Sequence, residues 1–255
     1  MLVARPAANI IVEPGADAAA DRTVEHVVGV IAERIAEAGA CHLALSGGTT
    51  PCEVYRRLAA PAVAEGIDWA KVRVFFGDER DVPQDHVENN YRMVAKTLLD
   101  HVPIPLPHVH PMPADGMDLA AAAKEYEDLI RRLVPAGDDD LPRFDLILLG
   151  LGADGHTASL FPGTHALPER RRLVAAQFVP VIGRNRMTFT FPLINAARRV
   201  TFLVTGADKA PVVASVLSSD AGAKVRLPAA QVAPANGELT FILDTDAARR
   251  IDADA

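Results

Sequence analysis

Residues 41–58 read CHLALSGGTTPCEVYRRL and decide the fold class of the chain. The continuous apolar run Cys41–Leu45 predicts a buried strand. The three- and four-residue spacing of Val54, Tyr55 and Leu58 predicts a helix that follows the glycines. A strand, a glycine loop and a helix in this order form the unit from which α/β proteins are built.

The same alternation of strand and helix patterns continues on both sides of this stretch. A stripe of apolar residues at helical spacing predicts a helix from Ala16 to Ala38, with Gly39 as its stop. Further strands are predicted at Val72 to Phe76, Phe144 to Leu149, Met187 to Phe191, Val200 to Thr205 and Leu239 to Leu243, and further helices at Leu119 to Leu133 and Lys209 to Leu217. Because continuous apolar strands are typical of a parallel sheet covered on both faces, we expect an α/β fold with a mainly parallel, doubly wound sheet. We expect it to form one domain over residues 1–255.

The composition excludes several classes of protein. Of 255 residues, 49% are hydrophobic and 23% charged, which is enough to bury a sizeable core. A formal net charge of -7 argues against a general nucleic-acid binder, although a small anionic ligand responds to the local field of a cleft instead. Cys41 and Cys52 are too few for a disulfide framework and are expected to be reduced thiols.

The chain gives no sign of a membrane segment. Acidic residues at Glu13, Asp17 and Asp21 leave no apolar signal-peptide region, and no apolar run reaches the length of a membrane span. We therefore expect a soluble, cytoplasmic protein. Residues 103–113 are predicted to form an ordered surface loop and residues 136–140 an exposed acidic turn. In the first, His108 and His110 are expected to be solvated, because no third ligand follows at zinc-like spacing.

The glycine loop is the first candidate binding segment. Thr50 is predicted as the N-cap of the next helix, Pro51 as its first residue and Glu53 as the partner that completes a capping box. The loop would then direct backbone N–H groups and the positive end of a helix dipole towards a phosphate or carboxylate. The alternative is an ordinary glycine turn; two glycines beside hydroxyl residues favour anion binding.

The second segment is residues 75–83, FFGDERDVP, in which an apolar strand runs directly into charged residues. Ligands of open α/β sheets bind beyond the carboxyl ends of the strands, where these charges emerge. Arg80 is the natural phosphate partner, since a guanidinium makes bidentate contacts and is always charged. The alternative is a surface ion-pair cluster of Asp78, Glu79 and Arg80.

The third segment is residues 148–162, LLGLGADGHTASLFP. It contains G-x-G-x-x-G, the fingerprint of dinucleotide binding, but Pro162 follows soon and no acidic residue ends a next strand at the required distance. Asp154 and His156 instead place a carboxylate and an imidazole on one loop. Histidine can act as a base near neutral pH, and a carboxylate can orient it, so the pair is a candidate catalytic site. The alternative is a polar surface histidine.

Together the three segments resemble the 6-phosphogluconolactonase family, whose hallmarks are S-G-G-[ST]-[ST]-P, G-D-E-R-x-V-P and G-x-G-x-D-G-H-T-A-S-L-F-P. All three occur here in order, and the resemblance covers about residues 10 to 245. Shorter matches are Asn89-Asn90-Tyr91-Arg92, Arg186-Met187-Thr188, Asn195-Ala196-Ala197 and Thr205-Gly206-Ala207-Asp208-Lys209.

The resemblance implies a Rossmann-like fold and metal-free, cofactor-free hydrolysis of 6-phospho-D-glucono-1,5-lactone, a step of the oxidative pentose phosphate pathway. It implies that His156 is the general base and Asp154 its companion. The phosphate and substrate contacts that it implies are Ser46, Gly47, Gly48, Thr49, Thr50, Arg80, Asn90 and Gly155. Many relatives carry a lysine before R-[IV]-T, and we assign that second cationic contact to Arg184.

Two other functions are open to a chain with these segments. A glucosamine-6-phosphate deaminase shares the glycine loop and the D-G-H segment, but its pattern continues with a glutamate where this chain has Leu160 and Phe161, and it has tyrosine in place of Arg80. A non-catalytic sugar-phosphate sensor would keep the phosphate loop without the base, whereas Asp154 and His156 are both present.

Overall fold

The computed structural model describes residues 8–116, 118–218 and 227–251, and these residues form a seven-stranded parallel sheet with helices on both faces. The strands of this sheet are β1 (Asn9–Glu13), β2 (Cys41–Leu45), β3 (Val72–Phe76), β5 (Val109–His110), β6 (Leu146–Leu149), β9 (Arg199–Val204) and β10 (Glu238–Asp244). Their order across the sheet is β1-β10-β9-β6-β2-β3-β5. The predicted fold class, a Rossmann-like and mainly parallel α/β fold, is confirmed.

A smaller, antiparallel sheet lies beside the first. It contains β4 (Asp78–Arg80), β7 (Val174–Val179) and β8 (Arg184–Phe189), in the order β4-β8-β7. Phe189 of β8 packs on Phe144 with ring centroids 5.4 Å apart, and Phe144 packs on Phe75 of β3 at 5.2 Å. The aromatic contacts therefore join the small sheet to the central core.

The helices connect and cover the strands. They are α1 (Ala16–Ala38), α2 (Thr49–Leu58), α3 (Pro61–Ala64), α4 (Asn90–Thr97), α5 (Leu119–Leu133), α6 (Phe191–Ala196), α7 (Ala210–Leu217) and α8 (Thr245–Ala248). Helix α1 has the predicted bounds and ends at Gly39, which takes a left-handed conformation with φ 77° and donates its N–H to the Ile35 carbonyl. No helix within the described ranges is both long and apolar enough to cross a membrane.

The structure corrects two of the predicted elements. The strand predicted to reach Phe191 ends at Phe189, and Phe191 begins α6, because the fixed φ and missing N–H of Pro192 suit the first turn of a helix. Residues 103–113 are not simply a surface loop, since Val109 and His110 form the edge strand β5.

His108 and His110 are therefore not a solvated pair. Both side chains are partly buried, and Nδ1 of His108 and Nε2 of His110 are buried without a hydrogen-bond partner among the residues that the structure describes. Burial, with the nearby charge of Arg73 adding to it, lowers the pKa of His110 to about 4. The strands β1, β4 and β7 were not predicted, and that residues 1–255 form one domain stays a prediction.

The strand order places a crevice at one point of the sheet. From β2 the chain proceeds through β3 to β5 on one side, whereas from β6 it proceeds through β9 to β10 on the other. Since β2 and β6 are neighbours, the winding reverses between them. Ligands of doubly wound sheets bind at this switch point, outside the carboxyl ends of the strands.

Candidate functional site

A cleft of about 300 Å³ opens at this switch point. The segments that follow β2, β3, β6 and β9 line it, so four neighbouring parallel strands end at its floor. The lining residues are Ser46, Gly47, Gly48, Thr49, Thr50, Pro51, Asp78, Arg80, Gly150, Leu151, Gly152, His156, Ala158, Leu203, Val204, Thr205 and Lys209. The fold thus brings all three predicted segments to one cavity.

The glycine loop opens α2 in a way that differs from the predicted capping box. The N-cap is Gly48, with φ 112°, and no side chain in the described part of the chain caps the helix. Thr50 and Pro51 are the second and third helical residues. With Gly48 as N-cap, Glu53 is the fifth helical residue instead of the third, so it cannot complete a capping box, and it pairs with Arg57 Nε at 3.0 Å. The first N–H groups of α2 and its positive dipole end therefore face the cleft without a side-chain partner.

Two buried side chains fix the shape of this loop. The Tyr55 hydroxyl accepts a hydrogen bond from the Ser46 N–H at 3.1 Å and donates one to the Ser46 carbonyl at 2.8 Å. Asn90 lies directly against Gly47, where an added Cβ would stand 1.7 Å from Asn90 Oδ1. Asn90 is therefore placed behind the loop and does not line the cleft. Only glycine leaves room for this close approach.

Arg80 ends β4 with its side chain on the cleft. Its Nη1 donates to the backbone carbonyl of Glu88 at 2.5 Å, which fixes the guanidinium without neutralising it. Arg184 does not line the cleft, because its guanidinium pairs with the Glu88 carboxylate. Arg80 therefore lines the cavity, whereas Arg184 lies outside it and contacts Glu88, the residue whose carbonyl Arg80 binds.

Lys209 is a second cation of the cleft, and no role was predicted for it from the sequence. It stands in the 3₁₀ turn Ala207–Lys209 after β9 and lines the cleft, with its Nζ 3.7 Å from Asp208. The sequence contained a signal for this role, because Lys209 follows the apolar strand β9 just as Arg80 follows β3. Arg186, opposite Arg80 in the β4–β8 pair, is half-buried, and burial together with the Arg80 charge lowers its pKa.

Three neighbouring groups hold His156, which lines the cleft. Its Nδ1 is 2.5 Å from Asp154 Oδ1, and Phe161 stacks on the ring at 4.0 Å between centroids. At Gly152 an added Cβ would come within 2.1 Å of His156 Nδ1, so this glycine makes room for the ring. An ionised Asp154 accepts only, so Nδ1 carries the proton and Nε2 has the free lone pair that a base needs.

Gly155 shapes the same loop without lining the cleft. Its φ is 81°, and an added Cβ would lie 2.6 Å from the Leu227 side chain. Its carbonyl accepts from the Ala229 N–H at 2.9 Å. Gly155 therefore allows residues 227–231 to approach the loop that carries His156 closely.

Glu79 is a buried carboxyl group beneath Arg80. It accepts hydrogen bonds from the backbone N–H groups of Arg80, Asn90 and Tyr91 at 2.7 to 3.0 Å. Burial outweighs these bonds and raises its pKa to about 7. Glu79 thus ties β4 to the start of α4. Within the described ranges no group of three or more His, Cys, Asp or Glu side chains is arranged to hold a metal ion.

The fold and the cleft define a Rossmann-like α/β protein in which a glycine loop, two cations and a His–Asp pair meet at the switch point of the sheet. The model of the family described as glucosamine-6-phosphate isomerases/6-phosphogluconolactonase matches residues 14–241. The chain belongs to this family, and the resemblance seen in the sequence is confirmed.

Individual relatives agree with this result. A 6-phosphogluconolactonase from Synechocystis sp. is 42% identical over 91% of this chain and 93% of its own length. The structure of 6-phosphogluconolactonase from Trypanosoma brucei has a TM-score of 0.84 and 30% identity, and covers 95% of this chain and 98% of that one. A monomeric glucosamine-6-phosphate deaminase of 20% identity has a TM-score of 0.78, over 95% of this chain and 99% of that one, which shows that it shares the fold.

Proposed function

We propose that this protein hydrolyses 6-phospho-D-glucono-1,5-lactone to 6-phosphogluconate, a step of the oxidative pentose phosphate pathway, without a metal ion. The observation that carries the proposal is the His156–Asp154 pair, with Nδ1 and Oδ1 2.5 Å apart at a cleft that also holds Arg80 and Lys209. A base, its orienting carboxylate and a cationic anion site are what hydrolysis of a phosphorylated lactone requires. The relatives named above carry this activity in their names.

His156 is the general base in this proposal. Neutral Nε2 takes a proton from a water molecule while the water oxygen bonds to the lactone carbonyl carbon. Asp154 holds the ring in the required tautomer and stabilises the imidazolium that forms. When the tetrahedral intermediate collapses, the bond from the carbonyl carbon to the ring oxygen breaks and the imidazolium returns its proton to that oxygen. The products are the open-chain acid and neutral His156.

The phosphate is held by the glycine loop and by the cations that line the cleft. The loop Ser46 to Thr50 presents N–H groups at the start of α2, and Arg80 and Lys209 supply charge. Arg80 has no ion-pair partner among the described residues, and Lys209 has only the long contact of 3.7 Å with exposed Asp208, so both can turn to the ligand. Anchoring the phosphate orients the carbonyl towards His156, and binding energy remote from the reacting bond is thereby used in catalysis.

A substrate panel on purified protein tests the proposal. We expect hydrolysis of 6-phosphogluconolactone well above the rate of a protein-free control, since the lactone also opens unaided, and no ammonia from glucosamine 6-phosphate. A deaminase needs a further acid or base beside the histidine, whereas Phe161 stacks on His156 and exchanges no proton. Ammonia release would establish the deaminase, and binding of the sugar phosphate without acceleration would establish a sensor.

A further inference from the structure

Ser159, three residues after His156, is buried and makes three hydrogen bonds that hold residues 150–159, called the base loop below because they carry His156. Its hydroxyl donates to Asp78 Oδ2 at 2.6 Å, and its N–H donates to Thr188 Oγ1 at 3.1 Å. Its carbonyl accepts from the side-chain amide of Gln177. Because Gln177 lies on β7 and Thr188 on β8, the antiparallel sheet anchors the loop that carries His156.

The backbone between His156 and Ser159 takes an uncommon conformation. Ala158 has φ 47° and lines the cleft. The left-handed region costs a residue with a Cβ on the order of 1 kcal/mol or more. Such a turn persists only where its surroundings over-determine it, and here the Thr157 hydroxyl bonds to the Gly150 carbonyl on one side while Ser159 is anchored on the other.

Asp78 connects the base loop to the glycine loop across the cleft. Its Oδ1 accepts from Asn90 Nδ2 at 3.2 Å, and Asn90 lies directly against Gly47. Asp78 also begins β4, the strand that Arg80 ends. A continuous path of contacts therefore runs from the anion-binding loop through Asn90 and Asp78 to Ser159.

We propose, resting on the hydrolytic function above, that Ser159 and Asp78 are positioning residues for His156. Their hydrogen bond holds the left-handed turn at Ala158 and sets the spacing between the base and the phosphate site. Neither side chain exchanges a proton with the substrate in this role. Spacing matters because a base must stay within hydrogen-bond reach of the attacking water, and a displacement of about 1 Å costs on the order of 100-fold in rate.

The test compares Ser159→Ala with the double variant Ser159→Ala/Ala158→Gly on 6-phosphogluconolactone. For Ser159→Ala we expect kcat to fall about 10- to 100-fold, with KM within roughly three-fold of the wild-type value because the phosphate contacts remain. Glycine adopts the left-handed turn at no steric cost. The double variant should therefore recover kcat at least several-fold over the single one, which a merely destabilising change would not allow.

Thr23→Ala is the matched control, because Thr23 is a buried hydroxyl that bonds to the Ala19 carbonyl within α1, away from the cleft. It should lower the melting temperature and leave kcat unchanged. If Ser159→Ala does not fold, Asp78→Asn takes its place, with the same expected loss of kcat and a larger rise in KM, because Asp78 also accepts from Asn90 behind the glycine loop.

The results of this experiment distinguish a failure of the positioning role from a failure of the proposed hydrolytic function. A wild-type protein that leaves the protein-free rate unchanged overturns the function, and the positioning role with it. An active wild type beside a Ser159→Ala variant that keeps more than about half of kcat, or a double variant without recovery, overturns the positioning role alone.

Discussion

Cations lie at both ends of the parallel strands, which form the amino-terminal and the carboxyl edge of the sheet. The two edges differ in whether these cations are paired with carboxylates. At the amino-terminal edge, buried Asp145 accepts from Arg34 Nε at 2.7 Å, and Arg199 lies 2.8 Å from Glu33 and 3.3 Å from Glu238. At the carboxyl edge, Arg80 forms no ion pair within the described residues. The paired charges at the amino-terminal edge stabilise the fold, whereas the unpaired charge of Arg80 is available to a ligand.

The same contrast extends to the histidines of the two edges. His42, at the amino-terminal edge, donates its backbone N–H to Asp145 at 2.8 Å, and its side chain is buried beside that carboxylate. His156 has an equivalent carboxylate neighbour, Asp154, but its ring faces a cavity. A His–carboxylate pair therefore indicates chemistry only where a ligand can reach it. Substitutions at the carboxyl edge should cost activity, and substitutions at the amino-terminal edge should cost stability.

The largest effect is expected at His156. His156→Ala should lower kcat by about 10²- to 10⁴-fold, since it removes the base. It should leave the melting temperature near the wild-type value, because the side chain is partly exposed and no buried group loses its only partner. Lactone hydrolysis against a protein-free control and thermal unfolding measure the two quantities. A variant that keeps more than about a tenth of the wild-type rate would exclude His156 as the base.

The opposite result is expected for Asp145. Asp145→Ala should reduce the free energy of unfolding by about 3–5 kcal/mol, because it leaves the His42 N–H and Arg34 Nε without their buried acceptor and Arg34 with only the more exposed Glu37 among the described residues. The kcat of the folded fraction should not change. Urea unfolding provides the measurement, and Asp128→Ala is the control, since its exposed pair with Lys124 should contribute about 0–1 kcal/mol.

The stability that Asp145 provides should depend on pH. Burial by itself would raise the pKa of Asp145, but hydrogen bonds from His42 and Arg34 outweigh it and hold the pKa below the usual value. A lowered pKa means that the stabilisation is present above the pKa of the unfolded chain and is lost as pH falls through the folded pKa. The difference between the wild type and Asp145→Asn should therefore shrink in acid. A difference that is constant from pH 7 to about pH 3 would contradict this account.

A smaller effect is expected at Arg80. Arg80→Ala should reduce kcat/KM for the phosphorylated lactone by about 10- to 100-fold, the value of a charge-assisted hydrogen bond. The loss on unphosphorylated glucono-1,5-lactone should be much smaller. Steady-state kinetics on both substrates distinguish the cases. Arg184→Ala is the comparison variant and should lose less activity than Arg80→Ala, because the Arg184 guanidinium pairs with Glu88. Equal losses of Arg80→Ala on the two lactones would mean that Arg80 does not bind the phosphate.

No effect is expected from chelation. Activity should survive prolonged treatment with EDTA, because the proposed mechanism takes its nucleophile from water through His156 alone. The assay is the rate before and after chelation, with zinc and magnesium added back separately. Loss of activity that either metal restores would require a metal-assisted mechanism in place of this one.

Much of the architecture could be predicted from local patterns. The stripe of apolar residues in α1 and the continuous apolar strands gave bounds that the structure reproduces to within a few residues, because burial on one face or on both selects those spacings. Other elements had no such signal. Strand β4 is made of charged residues, and β5 is two residues long in a proline-rich stretch.

The candidate site likewise has one part that the sequence predicts and another part that depends on the tertiary structure. The sequence by itself determined which loops carry chemistry, since glycines, hydroxyls and charges directly after apolar strands must emerge at one edge of a parallel sheet. Only the tertiary structure decided that Lys209 lines the cleft, that Glu88 pairs with Arg184, and that the small sheet anchors Ser159. These contacts join residues far apart in the chain, and they depend on strand order and packing, which no local spacing encodes.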